Sequence, residues 1–320
     1  MKILFILDPL KQLNVSYDSS LAMIRTFTKR GHACYFSNAA DLFTTQNCVK
    51  THHQSIQPRF KSLDFKIGKL TATTPLKNFD VVLVRKEPPF DIAYIYMTYL
   101  LELAHHETLI LNDPRALRDT NEKLSAIEFS DLMPKTVVSR TPINILNFQK
   151  KLKQDLILKP LDERGGRGIS ILKRSFSEEK KIKQIQALTG QGQLPIMAQE
   201  YISKPGLVAD KRIFLLEGKF LAAYERRFAK GDFRGNLSQG ATYHRTSLNL
   251  SEKNAITRIS SWVKRRGLHF VGLDLLDGLL LEINVTCPGG FPEADELYPQ
   301  LQVFEKFVKS VEKLARNQIK

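Results

Sequence analysis

Cysteine is scarce in this chain of 320 residues. Its three examples, Cys34, Cys48 and Cys287, are odd in number and lack CxxC spacing, which argues against a disulfide framework and against a zinc site. Free thiols in a reducing compartment are the expectation. Long apolar runs are also missing: none approaches the length of a membrane span, and Ile3-Leu4-Phe5-Ile6-Leu7 is cut off by Asp8-Pro9 before it could serve as a signal-peptide core. The reading is a cytoplasmic protein with no membrane partner. Acidic residues are in the minority, 33 against 48 Lys and Arg, and the formal charge of +15 favours anionic ligands. Charge alone does not choose between nucleotides, acidic metabolites and nucleic acid. The basic segments lack the interleaved aromatics of common RNA-binding motifs, however, and runs such as Lys180-Lys181-Ile182-Lys183 and Lys264-Arg265-Arg266 read as solvated helix faces. Nucleic acid is therefore not an expected partner. Internal repeats and low-complexity stretches are absent too.

What is present is an ordinary globular composition, 42% hydrophobic and 25% charged, with length for two or three domains. The start predicts a buried strand from Lys2 to Leu7, then a helix from about Ser19 to Arg30, capped by Asp18 or Ser19 and stopped at Gly31. A second buried strand, Asp80 to Val84, ends in Arg85-Lys86 and leads through Pro88-Pro89-Phe90-Asp91 to a helical stretch, Ile92 to Ala104. This is an α/β opening. Ligands of open α/β sheets gather at the carboxyl ends of strands, which makes Asp18, Ser20, Arg85 and Lys86 candidates for holding an acidic substrate. A new helical segment is expected from Asn121-Glu122-Lys123, with a domain boundary near residue 122 and a connector at Lys204-Pro205-Gly206. The expected division is 1–122, 123–203 and 204–320.

In the second region a strand, Asp155 to Pro160, carries Lys159 near its end. It is followed by Leu161-Asp162-Glu163-Arg164-Gly165-Gly166-Arg167-Gly168 and then by a second strand, Ile169 to Leu172. The glycines thus lie in a hairpin-like loop, which excludes a Walker loop and fails the Rossmann pattern. Two readings stay open: a glycine-rich flap whose backbone N–H groups approach phosphates, or a plain surface hairpin. A short strand, Met197 to Ile202, closes the region. In the third, strands Asp210 to Leu216 and Lys219 to Tyr224 lead to a glycine-bearing polar loop bracketed by Arg226 and Arg234, which reads as a lid. A helix from Ser251 to Arg266 and another beyond Pro299 complete the chain.

The densest chemistry lies between those helices. Asp274 sits in the apolar run Phe270 to Leu276, and Glu282 and Asn284 sit in Leu279 to Asn284, where carboxylates are unusual without a partner. Glu282 and Asn284 are two apart, so on a strand both leave one face with hard oxygen donors of the kind Mg²⁺ takes. Asp277-Gly278 signals a hairpin between the runs. A plain two-residue turn would pair Asp274 with Leu281 and send it to the other face. The metal reading therefore requires a three-residue loop or a bulge; the competing reading is a half-buried hairpin whose polar residues face solvent or make fold-supporting hydrogen bonds.

Taken in order, Lys123, Lys159 with its glycine loop, Glu200-Tyr201, Arg212, Arg226, Arg234-Gly235-Asn236, Asp274 and Glu282-Ile283-Asn284 resemble the ATP-grasp ligases. Within them the chain resembles the bacterial glutathione synthetase family almost end to end, through Asp8-Pro9, Asp18-Ser19-Ser20, Arg85-Lys86, Leu117-Arg118-Asp119 and Asn121-Glu122-Lys123-Leu124. The resemblance implies an α/β ATP-grasp fold behind an N-terminal open α/β domain, and ligation of γ-glutamylcysteine to glycine through an acyl phosphate. It implies ATP as co-substrate, Mg²⁺ or Mn²⁺ at Asp274, Glu282 and Asn284, and a homo-oligomer, a tetramer in this family. By the same resemblance Lys123 and Lys159 hold phosphates beneath Gly165 and Gly166, while Glu200 and Tyr201 line the adenine slot. Arg212 and Arg226 face the transferred phosphoryl group, Arg234 and Asn236 lie on the lid, and Asp18, Ser20 and Arg85 face the dipeptide. One departure stands out. Where the family continues Ser-Pro-Thr after Asn284-Val285-Thr286, this chain has Cys287-Pro288-Gly289-Gly290-Phe291-Pro292-Glu293. A sister ligase with another amine or peptide substrate is the alternative.

Overall fold

The computed structural model describes residues 1–59, 62–70, 73–203, 206, 208–229, 235, 237 and 240–318. The first strand, β1 (Lys2–Leu7), is buried from Ile3 onward and sits inside a six-stranded sheet. Helix α1 (Ser19–Lys29) starts where the Asp18 carboxylate accepts the N–H groups of Ser20 and Leu21, satisfying two donors that the first helical turn leaves unpaired. It is followed by β2 (Ala33–Asn38), β3 (Leu42–Thr45), β4 (Cys48–Thr51), β5 (Gln54–Pro58), β6 (Phe65–Ile67), β7 (Thr74–Pro75) and β8 (Val81–Arg85). Then come α2 (Ile92–Ala104), β9 (Leu109–Leu111) and α3 (Pro114–Asp119). The large sheet runs β6-β5-β2-β1-β8-β9; its β2, β1, β8 and β9 are parallel, so their carboxyl ends share one edge. Asp8 and the Arg85-Lys86 pair emerge there. Strands β3, β4 and β7 form a small separate sheet that the sequence pattern did not disclose.

The stretch from Asn121 is a turn and a 3₁₀ segment, Ser125–Leu132, rather than the expected regular helix. The cause is local competition: Asn121 Oδ1 takes the N–H groups of Lys123 and Leu124 (3.1 and 3.0 Å), and Glu122 is drawn toward residues 283–286. The next sheet, β10-β13-β11-β12, is antiparallel throughout and uses β10 (Thr136–Ser139), β11 (Leu156–Pro160), β12 (Ser170–Leu172) and β13 (Ile196–Glu200). Its two helices are α4 (Pro142–Leu152) and α5 (Glu178–Leu188), and they enclose a small core around Ile145, Leu158, Ile185 and Ala198. Because β11 pairs directly with β12, loop 161–168 is a hairpin connection.

The last sheet, β16-β15-β14-β17-β18, is likewise antiparallel. It comprises β14 (Ala209–Leu216), β15 (Lys219–Arg227), β16 (Thr242–Arg245), β17 (Phe270–Leu276) and β18 (Leu279–Asn284), with helices α6 (Leu250–Arg265), α7 (Phe291–Leu297) and α8 (Val303–Gln318). Phe214, Phe270, Phe291, Phe304 and Phe307 pack in one cluster with Phe5 and Phe27 of the N-terminal region, so the first and last sheets share a core. Asn112 fastens them further. Its Nδ2 donates to Phe270 O and Val285 O (3.0 and 2.8 Å), and its Oδ1 accepts from His269 and Phe270 N–H (2.8 and 3.0 Å). Among the described residues no helix is long and apolar enough to cross a membrane.

A second clasp joins α1 to α8. Arg30 grips Glu312 through Nε and Nη2 (2.9 and 2.8 Å), and His32 Nε2 meets the same carboxylate at 2.8 Å. These bonds hold the Glu312 pKa down at about 2. A lowered carboxylate pKa stabilises the fold fully above the unfolded value and is lost as pH falls toward the folded one. Glu312→Gln should therefore reduce stability by about 1–2 kcal/mol at pH 7 and flatten the loss of stability between pH 4.5 and pH 2, as urea midpoints across that range will report.

Candidate active site

Three antiparallel strands carry the charged centre. On β14, Asp210 and Arg212 are two apart and share a face. Register places Arg226 of β15 opposite Asp210, and Asp274 of β17 opposite Arg212. The result is a buried ladder. Arg212 is bidentate on Asp274 (2.6 and 3.0 Å), Arg226 is bidentate on Asp210 (2.7 and 2.8 Å), and Arg226 Nη2 also lies 3.1 Å from Asp274. Burial alone would raise the Asp274 pKa; the two guanidinium groups overcome it and hold the carboxylate ionised.

The hairpin into β18 resolves the register question. Asp277 and Gly278 both have positive φ (52° and 79°), as a two-residue turn requires, and they set Leu276 against Leu279. A bulge between Asp274 and Leu275 then shifts the pairing so that Asp274 faces Glu282. Burial pushes Glu282 up to about 7, with the Asp274 charge adding to the shift and Lys123 opposing it. Asn284 stands two residues on, opposite Gly272, where a Cβ would come within 3.5 Å of the Asn284 Cβ and 3.3 Å of Pro288. Asn284 Nδ2 is buried and has no hydrogen-bond partner among the described residues. Two carboxylates and a carboxamide make a hard-oxygen donor set that fits a divalent cation.

Opposite this centre stand two buried lysines, Lys159 on β11 and Lys123 in the turn that precedes the central sheet. Lys159 Nζ donates to Gln199 Oε1 (2.8 Å), and Lys123 Nζ donates to the Glu163 carbonyl (2.6 Å). Burial, reinforced by Lys123, lowers the Lys159 pKa to about 8, while Glu282, Asp274 and Asp210 oppose the shift. Both lysines line one cavity with Gly165, Gly166, Glu200, Tyr201, Arg226, Asp274 and Glu282, and its apolar wall is Ile157, Ile169, Ile202, Phe228 and Leu281. An anionic ligand with an apolar ring system matches that division of surfaces.

A second cavity, lined by Asp8, Asn14, Asp18, Glu87, Arg164 and Glu293 among others, opens at the carboxyl edge of the N-terminal sheet. Asp18 lines it as well as capping α1. Ser20 and Arg85 are buried and are not among the described residues that line it. Arg85 Nε donates to Ser20 Oγ (3.0 Å) and Nη2 to Pro288 O (3.1 Å), which joins the N-terminal region to loop 287–290. Lys86 pairs with Asp8 at 2.8 Å. In that loop Gly290 has φ +85°, and a Cβ there would collide with Tyr224 Oη, so the glycine is required where the family pattern changes. Arg234 and Asn236, read as lid residues, lie outside the described residues.

Sequence reasoning missed Asp210, Gln199 and Glu122. Asp210 shares a strand face with Arg212, a period-two signal that was available. Gln199 was overlooked beside Glu200. Glu122 Oε1 accepts from Val285 N, Thr286 N and Thr286 Oγ1 (2.8, 3.0 and 2.8 Å), a contact across the chain that no local pattern announces. Removing the Asp210 charge leaves buried Arg226 with Asp274 alone. Asp210→Asn should cost about 3 kcal/mol, read as a fall in the thermal or urea midpoint.

Comparison with known proteins bears on the family and the fold. The family model for the prokaryotic glutathione synthetase N-terminal domain matches residues 1–118, and that for its ATP-grasp domain matches residues 122–299. Glutathione synthetase of Escherichia coli (strain K12) is 35% identical over 303 residues, covering 93% of this chain and 94% of the relative. That of Shewanella oneidensis is 38% identical over 292 residues, covering 90% and 91%. Among solved structures, D-cycloserine synthetase DcsG superposes with a TM-score of 0.69 over 99% of each chain at 14% identity, and D-alanine–D-alanine ligase from Bacillus anthracis complexed with ATP with 0.60 at 13% over 99% and 98%. These two likenesses speak to the fold, which is the expected α/β ATP-grasp architecture. ATP-grasp ligases in general use ATP with divalent cations. The chain, an ATP-dependent ligase, belongs to the prokaryotic glutathione synthetase family.

Proposed function

We propose that the protein joins the cysteinyl carboxylate of γ-glutamylcysteine to glycine, consuming ATP and releasing glutathione, ADP and phosphate. The observation that carries this reading is the single cavity in which Lys123, Lys159 and the glycine-rich loop face Asp274 and Glu282. A carboxylate resists attack by an amine because oxide is a poor leaving group; phosphorylation supplies a better one, and the protein's part is to orient and neutralise charge. Lys123 and Lys159 then hold the nucleotide's phosphates, Gly165 and Gly166 cover them, and Glu200 with Tyr201 lines the adenine slot. Asp274, Glu282 and Asn284 would hold Mg²⁺ or Mn²⁺, whose charge would offset repulsion between two anionic substrates.

Arg212 and Arg226, preset by Asp274 and Asp210, stabilise negative charge on the transferred group. Asp18 meets the dipeptide in the second cavity, while Ser20 and Arg85 set the shape of its wall through Pro288. Arg234 and Asn236 are assigned to the lid from the sequence alone. The site of action is the cytoplasm. The assembly is a homo-tetramer that uses α2, whose Ile92, Tyr96, Tyr99 and Leu103 recur at helical spacing and are 62, 61, 51 and 55% exposed. Light scattering should give four chains per particle, and Tyr96→Lys should shift the mass downward; a monomeric wild type overturns the assembly.

The decisive assay measures ADP release with Mg²⁺-ATP and γ-glutamylcysteine, with glycine, with other amino acids and with no amine, followed by product mass. Glycine-dependent ADP and a glutathione mass are expected. Glu282→Gln should abolish turnover with an unchanged urea midpoint. Turnover with another amine but none with glycine would move the activity to a sister ligase.

A further inference from the structure

The glycine-rich loop 161–168 is anchored outside its own sheet. Phe90 N donates to Asp162 O (3.0 Å), and Arg164 reaches the N-terminal region to pair with Glu87 and to donate from Nε to Pro88 O (3.1 Å). On its inner side, besides the Lys123 contact, Asn121 Nδ2 donates to Leu161 O (2.9 Å). Arg164, Gly165 and Arg167 line both cavities, so the loop is the wall between them.

Charge supplies a reason for the Arg164 contact. Glu87 stands beside Asp8 and Asp18; burial raises its pKa, Arg164 opposes that most strongly, the two aspartates add to it, and Arg85 opposes it further. Lys86 is committed to Asp8. Arg164 is thus the cation that reaches Glu87 from another sheet, and it can do so only while the loop lies down against the N-terminal region.

We propose that the Arg164–Glu87 pair is a latch that fastens the glycine-rich loop, closed over the nucleotide, to the dipeptide-binding region. Arg164 is a positioning residue in this scheme, and the inference rests on the functional reading of the two cavities. Its consequence is chemical. Once the γ-phosphoryl group has passed to the carboxylate oxygen, the acyl phosphate must meet the amine before water. With the latch open, water attacks instead, the acyl phosphate splits into the original carboxylate and inorganic phosphate, and ADP appears without a new peptide bond.

The test uses the full chain carrying Arg164→Met, Glu87→Gln or the exchanged pair Glu87→Arg with Arg164→Glu. Amide hydrogen exchange over residues 161–168, with and without Mg²⁺-ADP, needs no turnover. Each single variant should exchange about fivefold faster, as expected for a pair worth about 1 kcal/mol, and the exchanged pair should return toward wild type. In the ligation assay, ADP formed per product should rise from one to about two or more in the single variants and fall again in the exchanged pair. Unchanged exchange in both single variants, or faster exchange that the exchanged pair fails to reverse, overturns the latch. A wild-type chain that forms no glutathione overturns the functional reading instead and leaves the exchange comparison standing.

Discussion

A buried carboxylate must be neutralised, and the centre of this protein is organised by how that is done for Asp274. It lies 4% exposed in a strand of apolar residues, where an unpaired charge would be strongly destabilising. Arg212 from the adjoining strand meets it bidentately, Arg226 reaches it diagonally, and Asp210 in turn neutralises Arg226. The ladder is almost balanced before any ligand arrives. Glu282 has its pKa raised by burial, with Asp274 adding to the shift and Lys123 opposing it. A site built this way holds its charges in position by strand register, with little freedom to reorganise.

Register in turn depends on one extra residue. Had the Asp277-Gly278 turn been followed by regular pairing, Asp274 would face the opposite side of the sheet from Glu282. The bulge at Asp274/Leu275 keeps both features: a tight turn and an aligned pair of carboxylates. Gly272 lies on the same face, where a Cβ would press on Pro288 at 3.3 Å.

The three sheets contribute unequally to cohesion and to chemistry. The N-terminal and last sheets share an aromatic core and the four hydrogen bonds of Asn112, whereas the central sheet keeps its own small core. The central sheet meets the rest through the apolar contacts of Met197, Val138 and Leu161 and through polar contacts at the site, Lys123 to the glycine loop and Arg164 to Glu87.

By itself the sequence determined the elements whose signals are local. The buried strand Lys2–Leu7, the capped helix after Asp18, the helix Ile92–Ala104 and the hairpin position of the glycine loop all follow from periodicity, capping and turn chemistry within a few residues. It also marked Asp274, Glu282 and Asn284 as out of place in apolar runs, and stated the condition under which they could meet. Tertiary structure decided whether that condition held, because a bulge is a choice of pairing between strands. It likewise decided that Asn121 opens a turn and that Ser20 and Arg85 are buried away from the described lining of the second cavity. It alone placed Glu122 on residues 285 and 286, more than 160 positions away, and Arg164 on Glu87, since those bonds are set by packing between sheets and leave no trace in the spacing along the chain.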